Sequence, residues 1–540
     1  MASSASPCLH CTPEQQTRLG AINQELSSQF TEFNRRLLAD ENTAIFINNG
    51  VLVNANLEQQ LCQGIATLNR KTLSGEPRGK DTPFEELKGN LTFRNGIASN
   101  PDLKVRIPGL TVNGHGDIDL RVLGTTDDGT IYASRSDRKS PSAFGTLDRQ
   151  TGEFTELFRD PVSQVEGWLQ SPVDDTVFGV VTQAGAPKVH MIDEEHADAQ
   201  LYLSLAGAFP GQYVNFSSAT RDGQKIIVSV SSDRNPGELY LFDRGTGQAR
   251  FLMKNRNWMD TTRSASVRPF AFKARDGLEI HGYLTLPHGV DPKNLPMIVN
   301  PHGGPMGVRD DWGYNWETQL LASRGYAVLQ VNYRGSGGRG KAFEDMAYGQ
   351  WATGIMNDIA DATKWAIGKG YADKDRVCIY GGSFGGYAAI MGPATHPGLF
   401  KCAFGYVGAY DPQIQFKLSD TSKRDDGLAY MRRAFGATRA EQDAMSPVLH
   451  ADKVKIPVYL AAGARDARCP PENTEAMFAA LEAAGNTPEG MIIQSGEGHG
   501  FYEEKAREKL YSEMLAFFGR HIGGVVVGGL LVPQHGATLQ

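Results

Sequence analysis

The sequence predicts an α/β chain: a doubly wound, mostly parallel sheet in its C-terminal half, preceded by a partial β-propeller and a mixed α+β N-terminal segment. Three observations carry this. From Val267 onward, strand-like runs alternate with helical stretches: MIVN (297–300), AVLQVNY (327–333), VCIY (377–380), VYLAAG (458–463) and MIIQ (491–494). Before them, a strand-rich unit opens on aspartate turns at Asp128, Asp175 and Asp222, 47 residues apart. The whole is 540 residues long, beyond the ~250–300 at which single cores stop growing.

Composition narrows the function classes. Hydrophobic residues at 40% and charged residues at 21% describe a globular chain. A net charge of −7 provides no positive field for nucleic acid or anionic lipid. Six cysteines are too sparse for a disulfide scaffold, and Cys8-Leu9-His10-Cys11 has zinc-knuckle spacing without a second ligand pair, so neither metal nor cofactor is expected. The start, MASSASPCLHCTPEQQ, lacks the basic and apolar regions of a signal peptide, which makes cytoplasmic the expected location and periplasmic the alternative. The apolar stretch 522–532 has 11 residues against the roughly 20 needed to cross a bilayer, so a terminal strand is expected within the 524–540 tail.

Residues 1–46 read as a helical segment, with Leu19, Ile22, Leu26, Phe30, Phe33 and Leu37 at helical spacing. Residues 47–124 read as a helix over 57–68 followed by alternating strands. The run NLEQQLCQGIATLNRKTLSGEPRGKDTPFEELKGNLTFRNGIASNPDLKVRIPGLTVNGHGDIDL resembles the C-terminal part of AsmA-family envelope proteins, and TPEQQTRLGAINQELSSQFTEFNRRLLADENTA resembles an N-terminal helix of the dipeptidyl carboxypeptidase family without its HExxH motif. Together they imply a composite chain. Residues 125–266 read as about three blades, each unit ending in a second turn at Asp148, Asp193 or Asp243. Three blades do not close a ring, so unpaired strand edges and self-association are expected.

Residues 267–523 carry the chemistry. Gly381-Gly382-Ser383-Phe384-Gly385-Gly386 follows the strand RVCIY and precedes a helical run, the setting of a nucleophile elbow. A serine hydroxyl needs a base, and the base a carboxylate that fixes its tautomer. Asp466 follows VYLAAG and His499 follows MIIQ, so Ser383, Asp466 and His499 stand after successive strands in the order of the α/β-hydrolase fold. Pro301-His302-Gly303-Gly304-Pro305, after MIVN, matches the HGGG-type loop, and the main-chain N–H groups of Gly304 and Phe384 are the expected oxyanion hole.

With RPFAFKARDGLEIHGYLTLP, IVNPHGGP, GYAVLQVNYRGSGGRGKAFE, CIYGGSFGGYAAIMG, GARDARCPPENTEAM and EGHGFYEE, residues from about 125 to 523 resemble the prolyl oligopeptidase family of serine peptidases, nearest its acylaminoacyl-peptidase branch. The resemblance implies a peptidase of short peptides with Ser383, Asp466 and His499 as triad, and an apolar specificity pocket lined by Phe384, Val407 and Tyr410. Glu194 and Glu195 are candidates for anchoring a peptide's amino terminus, against the plainer reading of exposed turn charge. A carboxylesterase on the same fold is the enzyme alternative, and a non-catalytic envelope interaction protein the alternative of another class.

Overall fold

A computed structural model describes residues 119–126 and 129–524, together with eight short strands between Phe46–Asn48 and Leu110–Asn113 that form three small sheets. The expected helices before residue 70, the turn at Asp128 and the terminal strand within 524–540 lie outside the described residues. The chain divides into two units, and the larger holds the blades and the α/β domain.

Three blade sheets are present among the described residues, each an antiparallel meander. The first runs through Asp119–Thr125, Ile131–Ser136, Ala143–Leu147 and Phe154–Phe158. It therefore begins at Asp119, inside the span expected to belong to the preceding AsmA-like segment, because Asp119–Thr125 pairs along Ile131–Ser136. The second has three strands, Val165–Gln170, Val177–Thr182 and Lys188–Met191, followed by the helix Ala197–Ala208 where a fourth strand was expected. The third has four: Tyr213–Ala219, Lys225–Ser231, Glu238–Asp243 and Gln248–Lys254. The repeated aspartates act as turn locks, since a short carboxylate accepts N–H groups two and three residues on. Asp243 Oδ1 accepts from Gly245 N (2.9 Å) and Thr246 N (3.3 Å), and Asp222 Oδ1 from Gln224 N (3.1 Å). In the second blade this is done by Asp174, from Thr176 N (3.0 Å), while Asp175 takes a left-handed φ of 63°.

The α/β domain is built on eight strands: β1 (Ser266–Lys273), β2 (Glu279–Leu286), β3 (Leu295–Val299), β4 (Ala327–Asn332), β5 (Ala372–Gly382), β6 (Cys402–Tyr406), β7 (Val458–Gly463) and β8 (Gly490–Gln494). Their order is β1-β2-β4-β3-β5-β6-β7-β8, with β2 antiparallel to both of its neighbours, β1 and β4, and the remaining pairs parallel. β3, β4 and β7 are buried along their whole length, which is why they read as continuous apolar runs and not as alternating ones. β6, whose CAFGY is short and glycine-interrupted, and the leading hairpin β1-β2 were not among the expected strands.

Helices cover both faces. On one lie α1 (Trp316–Ser323) and, after the rest of the domain, the 19-residue Glu504–Ile522, which buries Leu510, Met514, Phe517 and Phe518 against Tyr380 and Phe404. On the other, α2 (Met356–Gly368) and α3 (Phe384–Thr395) bury Ile359, Ala362, Tyr387 and Ile390 with Val299 and Ile379. Glu317, in the first turn of α1, accepts from the hydroxyls of Tyr380 (2.6 Å) and Tyr511 (2.7 Å), and its burial raises the carboxyl's pKa. The register that sets Cys378 opposite Cys402 joins β5 to β6 by a disulfide. The blades are fastened to this domain by Gln319, whose amide donates to the carbonyls of Asp233 (3.0 Å) and Ala265 (2.9 Å), and by Arg309, which donates to Gln183 O (3.1 Å).

Candidate active site

β5 ends in the turn that carries Ser383, held at φ 58° and ψ −120° with its N–H on Tyr406 O (2.9 Å). A non-glycine residue with positive φ is costly and is kept where surrounding packing enforces it. Here enforcement comes from close approach on both sides. A Cβ at Gly385 would strike the carbonyl of Pro301, and one at Gly381 would lie 2.6 Å from the Gly385 carbonyl carbon. The flanking glycines of the motif are thus steric requirements, and they leave the Ser383 hydroxyl at the N-terminus of α3.

β7 and β8 deliver the other two groups. His499 Nε2 is 3.0 Å from Ser383 Oγ, and His499 Nδ1 is 2.8 Å from Asp466 Oδ2. Asp466 is buried and its second oxygen accepts the main-chain N–H groups of Arg468 (2.9 Å) and Cys469 (2.8 Å). The guanidinium of Arg468 makes its ion pair with Asp420 (2.7 Å), while its main-chain N–H serves Asp466. A carboxylate on Nδ1 places the ring's proton there and its lone pair on Nε2, facing the serine. The loop bearing His499 is braced by Glu497, whose carboxylate accepts Tyr502 N (2.9 Å) and Glu503 N (2.8 Å) and whose carbonyl accepts Arg465 N (2.8 Å). Glu497 therefore ties the histidine loop both to the aspartate loop and to the helix that follows.

The loop after β3 meets the elbow at Gly303, where an added Cβ would stand 3.4 Å from Ser383 Cβ. Gly304, next along, has φ 115° and a cis bond to Pro305. His302 points away from the serine: its Nε2 is 2.8 Å from Ser336 Oγ, its ring stacks on Tyr333 at 4.2 Å, and Tyr333 Oη donates to His302 O (2.8 Å). Loss of solvent holds its pKa down to about 4, so this imidazole is a neutral brace for the glycine loop and His499 is the histidine that reaches Ser383.

The expected pocket lining is corrected at Phe384, whose ring is 1% exposed and packs against Trp351 (4.7 Å) and Tyr387 (5.4 Å) in the core. A side chain at the first position of a fully buried helix has only the core to enter. Val407 and Tyr410 are buried beside the elbow, Val407 at an unfavourable φ of 45° with its N–H on Ala461 O (2.7 Å), and the Tyr410 hydroxyl lacks a hydrogen-bond partner. Sequence reasoning missed Cys469. Its buried thiol lies near the Ser383 side chain, and burial pushes its pKa far up. The only signal was its place three residues after Asp466, which by itself carries no chemistry. Glu194 is exposed and lines a cavity of about 900 Å³ with Tyr202, Tyr213 and Trp312. Among the described residues, no group of three or more His, Cys, Asp or Glu is arranged to hold a metal, and no helix is long and apolar enough to cross a membrane.

Comparison with known proteins agrees with this geometry. Residues 312–525 match the prolyl oligopeptidase family, and residues 39–103 match the AsmA family. The chain is 29% identical over 424 residues to dipeptidyl aminopeptidase BIII of Pseudoxanthomonas mexicana, covering 74% of this chain and 59% of that one. It is 29% identical over 423 residues to dipeptidyl peptidase family member 6 of Caenorhabditis elegans, covering 73% and 56%. The chain therefore spans somewhat over half the length of these relatives. A crystal structure of puromycin hydrolase superposes with a TM-score of 0.63 at 22% identity, covering 80% of this chain and 66% of that one, and shows the shared fold. An elbow serine with a strand-end aspartate and histidine thus stands in the part of the chain, residues 312–525, that matches the prolyl oligopeptidase family.

Proposed function

We propose that this chain is a serine peptidase that hydrolyses short peptides through an acyl-enzyme. The observation that carries the reading is the continuous relay from Asp466 through His499 to Ser383, at 2.8 and 3.0 Å. Ser383 Oγ attacks the scissile carbonyl carbon while His499 Nε2 takes its proton, and Asp466 stabilises the imidazolium that forms. The tetrahedral oxyanion is received by main-chain N–H groups at the glycine loop and the start of α3, for which Gly304 and Phe384 are the assigned donors. His499 then protonates the leaving amine, and water reverses the same steps on the ester. Each step needs only a neutral His499 at the outset and no cofactor.

Relatives named for releasing dipeptides favour an unblocked amino end in the substrate. Steady-state assays with free and amino-acetylated dipeptidyl nitroanilides, beside nitrophenyl esters, separate the readings. The free nitroanilide is expected to be turned over best. Turnover of esters alone would favour the carboxylesterase, and a chain inert to fluorophosphonates would favour a binding protein. The disulfide between Cys378 and Cys402 supports an oxidising compartment, the periplasmic alternative and not the cytoplasmic one. Peptide mapping of the protein isolated from its native cells under alkylating, non-reducing conditions is expected to recover the linked pair; recovery of both thiols alkylated would return the assignment to the cytoplasm.

A further inference from the structure

The segment from Trp312 to Arg324, which leads into and forms α1, borders a run of three cavities. The first, of about 900 Å³, is bounded by Tyr213 and Trp312. A second, of about 240 Å³, shares both of those residues and adds Tyr314. The third, of about 490 Å³, shares Tyr314 and continues past Trp316 to Arg324. The cavities thus adjoin in series along this segment, the first two through Tyr213 and Trp312 and the last two at Tyr314. None of the three is lined by Ser383, Asp466 or His499.

The third cavity has a charge of its own sign. Arg256, Arg263, Arg324 and His288 line it against one carboxylate, Asp260, in a chain whose net charge is −7. That carboxylate is already engaged, accepting Thr262 N (3.1 Å) and Thr262 Oγ1 (2.6 Å) where it caps the turn Thr261–Arg263. Arg256 stands over the Tyr314 ring at 5.9 Å, and Trp316 is 40% exposed. Arg324 donates to the neighbouring Ser323 Oγ (2.8 Å), and a guanidinium with five N–H donors retains a face for an anion after one such bond. Guanidinium groups pair bidentately with either a carboxylate or a phosphate, so the neighbouring rings decide between them. The exposed Trp316 ring and Tyr314 beside the arginines offer apolar surface that a carboxylate borne next to an apolar side chain uses and inorganic phosphate does not.

We propose that this series of cavities is a second peptide site, separate from the triad, in which the free carboxyl end of an extended peptide with an apolar last residue sits at Arg256 and Arg324 and the chain runs over Tyr314 toward Trp312. The peptide character of the ligand rests on the peptidase reading above; the carboxylate preference stands on the cavity alone. Such a site holds a long substrate or a released product at a distance from Ser383.

The test uses the full-length Ser383→Ala chain and an amino-terminally labelled decapeptide ending in leucine, as free acid and as amide, with binding read by fluorescence anisotropy. The free acid is expected to bind about tenfold more tightly than the amide, the scale of one charge-assisted bidentate contact. Arg256→Gln and Arg324→Gln are each expected to bring the acid toward the amide's affinity, while Arg256→Lys retains part of the preference. Thermal melting checks that each variant is folded. Wild-type protein blocked with a fluorophosphonate should bind the acid equally well, which provides a second parent if Ser383→Ala does not fold. Equal affinity for acid and amide overturns the proposal, as does loss of binding on fluorophosphonate blocking, which would place the peptide at the triad. Displacement by inorganic phosphate at the peptide's own dissociation constant overturns it in favour of a phosphate site. A Ser383 inert to fluorophosphonate would defeat the peptidase reading while leaving the acid-against-amide comparison intact.

Discussion

Ser383→Ala is expected to lower the turnover of a peptide nitroanilide by roughly six orders of magnitude, to whatever the oxyanion donors and binding alone supply. The hydroxyl is the only group of the elbow that the substitution removes. The main-chain bonds from Ser383 N to Tyr406 O (2.9 Å) and from Tyr387 N to Ser383 O (3.0 Å) remain, so the fold and KM should change little. Single-turnover kinetics and fluorophosphonate labelling with peptide mapping check this. An adduct on another serine, or residual turnover within a hundredfold of the parent, would remove Ser383 from its assigned role.

The second large effect is expected at Asp466. Asp466→Asn should cost about 10⁴-fold in kcat with KM nearly unchanged, because an amide cannot do what both carboxylate oxygens now do. Oδ1 accepts two main-chain N–H groups, from Arg468 and Cys469, and Oδ2 accepts the proton on His499 Nδ1. If the amide oxygen keeps the loop contacts, its NH₂ faces Nδ1, the imidazole takes the other tautomer, and Nε2 no longer accepts from Ser383. If the oxygen faces Nδ1, the NH₂ opposes two N–H donors and the loop is displaced. Either outcome breaks the relay. A loss smaller than tenfold, with thermal stability intact, would mean that Asp466 does not orient His499.

The parts of the site that were legible beforehand are those where chemistry leaves few residue types. A turn that brings Gly385 against the carbonyl of Pro301 admits no side chain, so the elbow shows as glycines around Ser383. β7, buried on both faces, shows as an unbroken apolar run, and the half-buried edge strand β8 still shows in MIIQ, which placed Asp466 and His499 just beyond them. The blade turns were readable because an Asx turn needs a short carboxylate at a fixed offset, although at the second blade the neighbouring Asp174 takes the role.

What stayed hidden depends on direction and on partners distant in sequence. The name Phe384 does not say that its ring enters the core; its place at the first position of α3, packed on the sheet, decides that. The bracing role of His302, held neutral near Ser336 while His499 faces Ser383, follows from surroundings that its place in the glycine loop does not show. Cys378 and Cys402 are 24 residues apart and become partners because parallel register sets them opposite one another on β5 and β6. The nearness of Cys469 to Ser383, the bracing by Glu497 and the basic cavity beside α1 are likewise products of chain segments meeting.

By itself, then, the sequence determined the α/β class, the blade period, the identity and order of Ser383, Asp466 and His499, and the glycine loop after β3, because each of these is a local constraint on backbone or chemistry that a few residue types satisfy. Tertiary structure alone decided where the first blade begins, what role His302 plays in the glycine loop, which cysteines pair, and which side chains surround the nucleophile. Those properties are set by register and by packing between segments tens to hundreds of residues apart, and a free energy that arises between two such segments leaves no periodic mark in either of them.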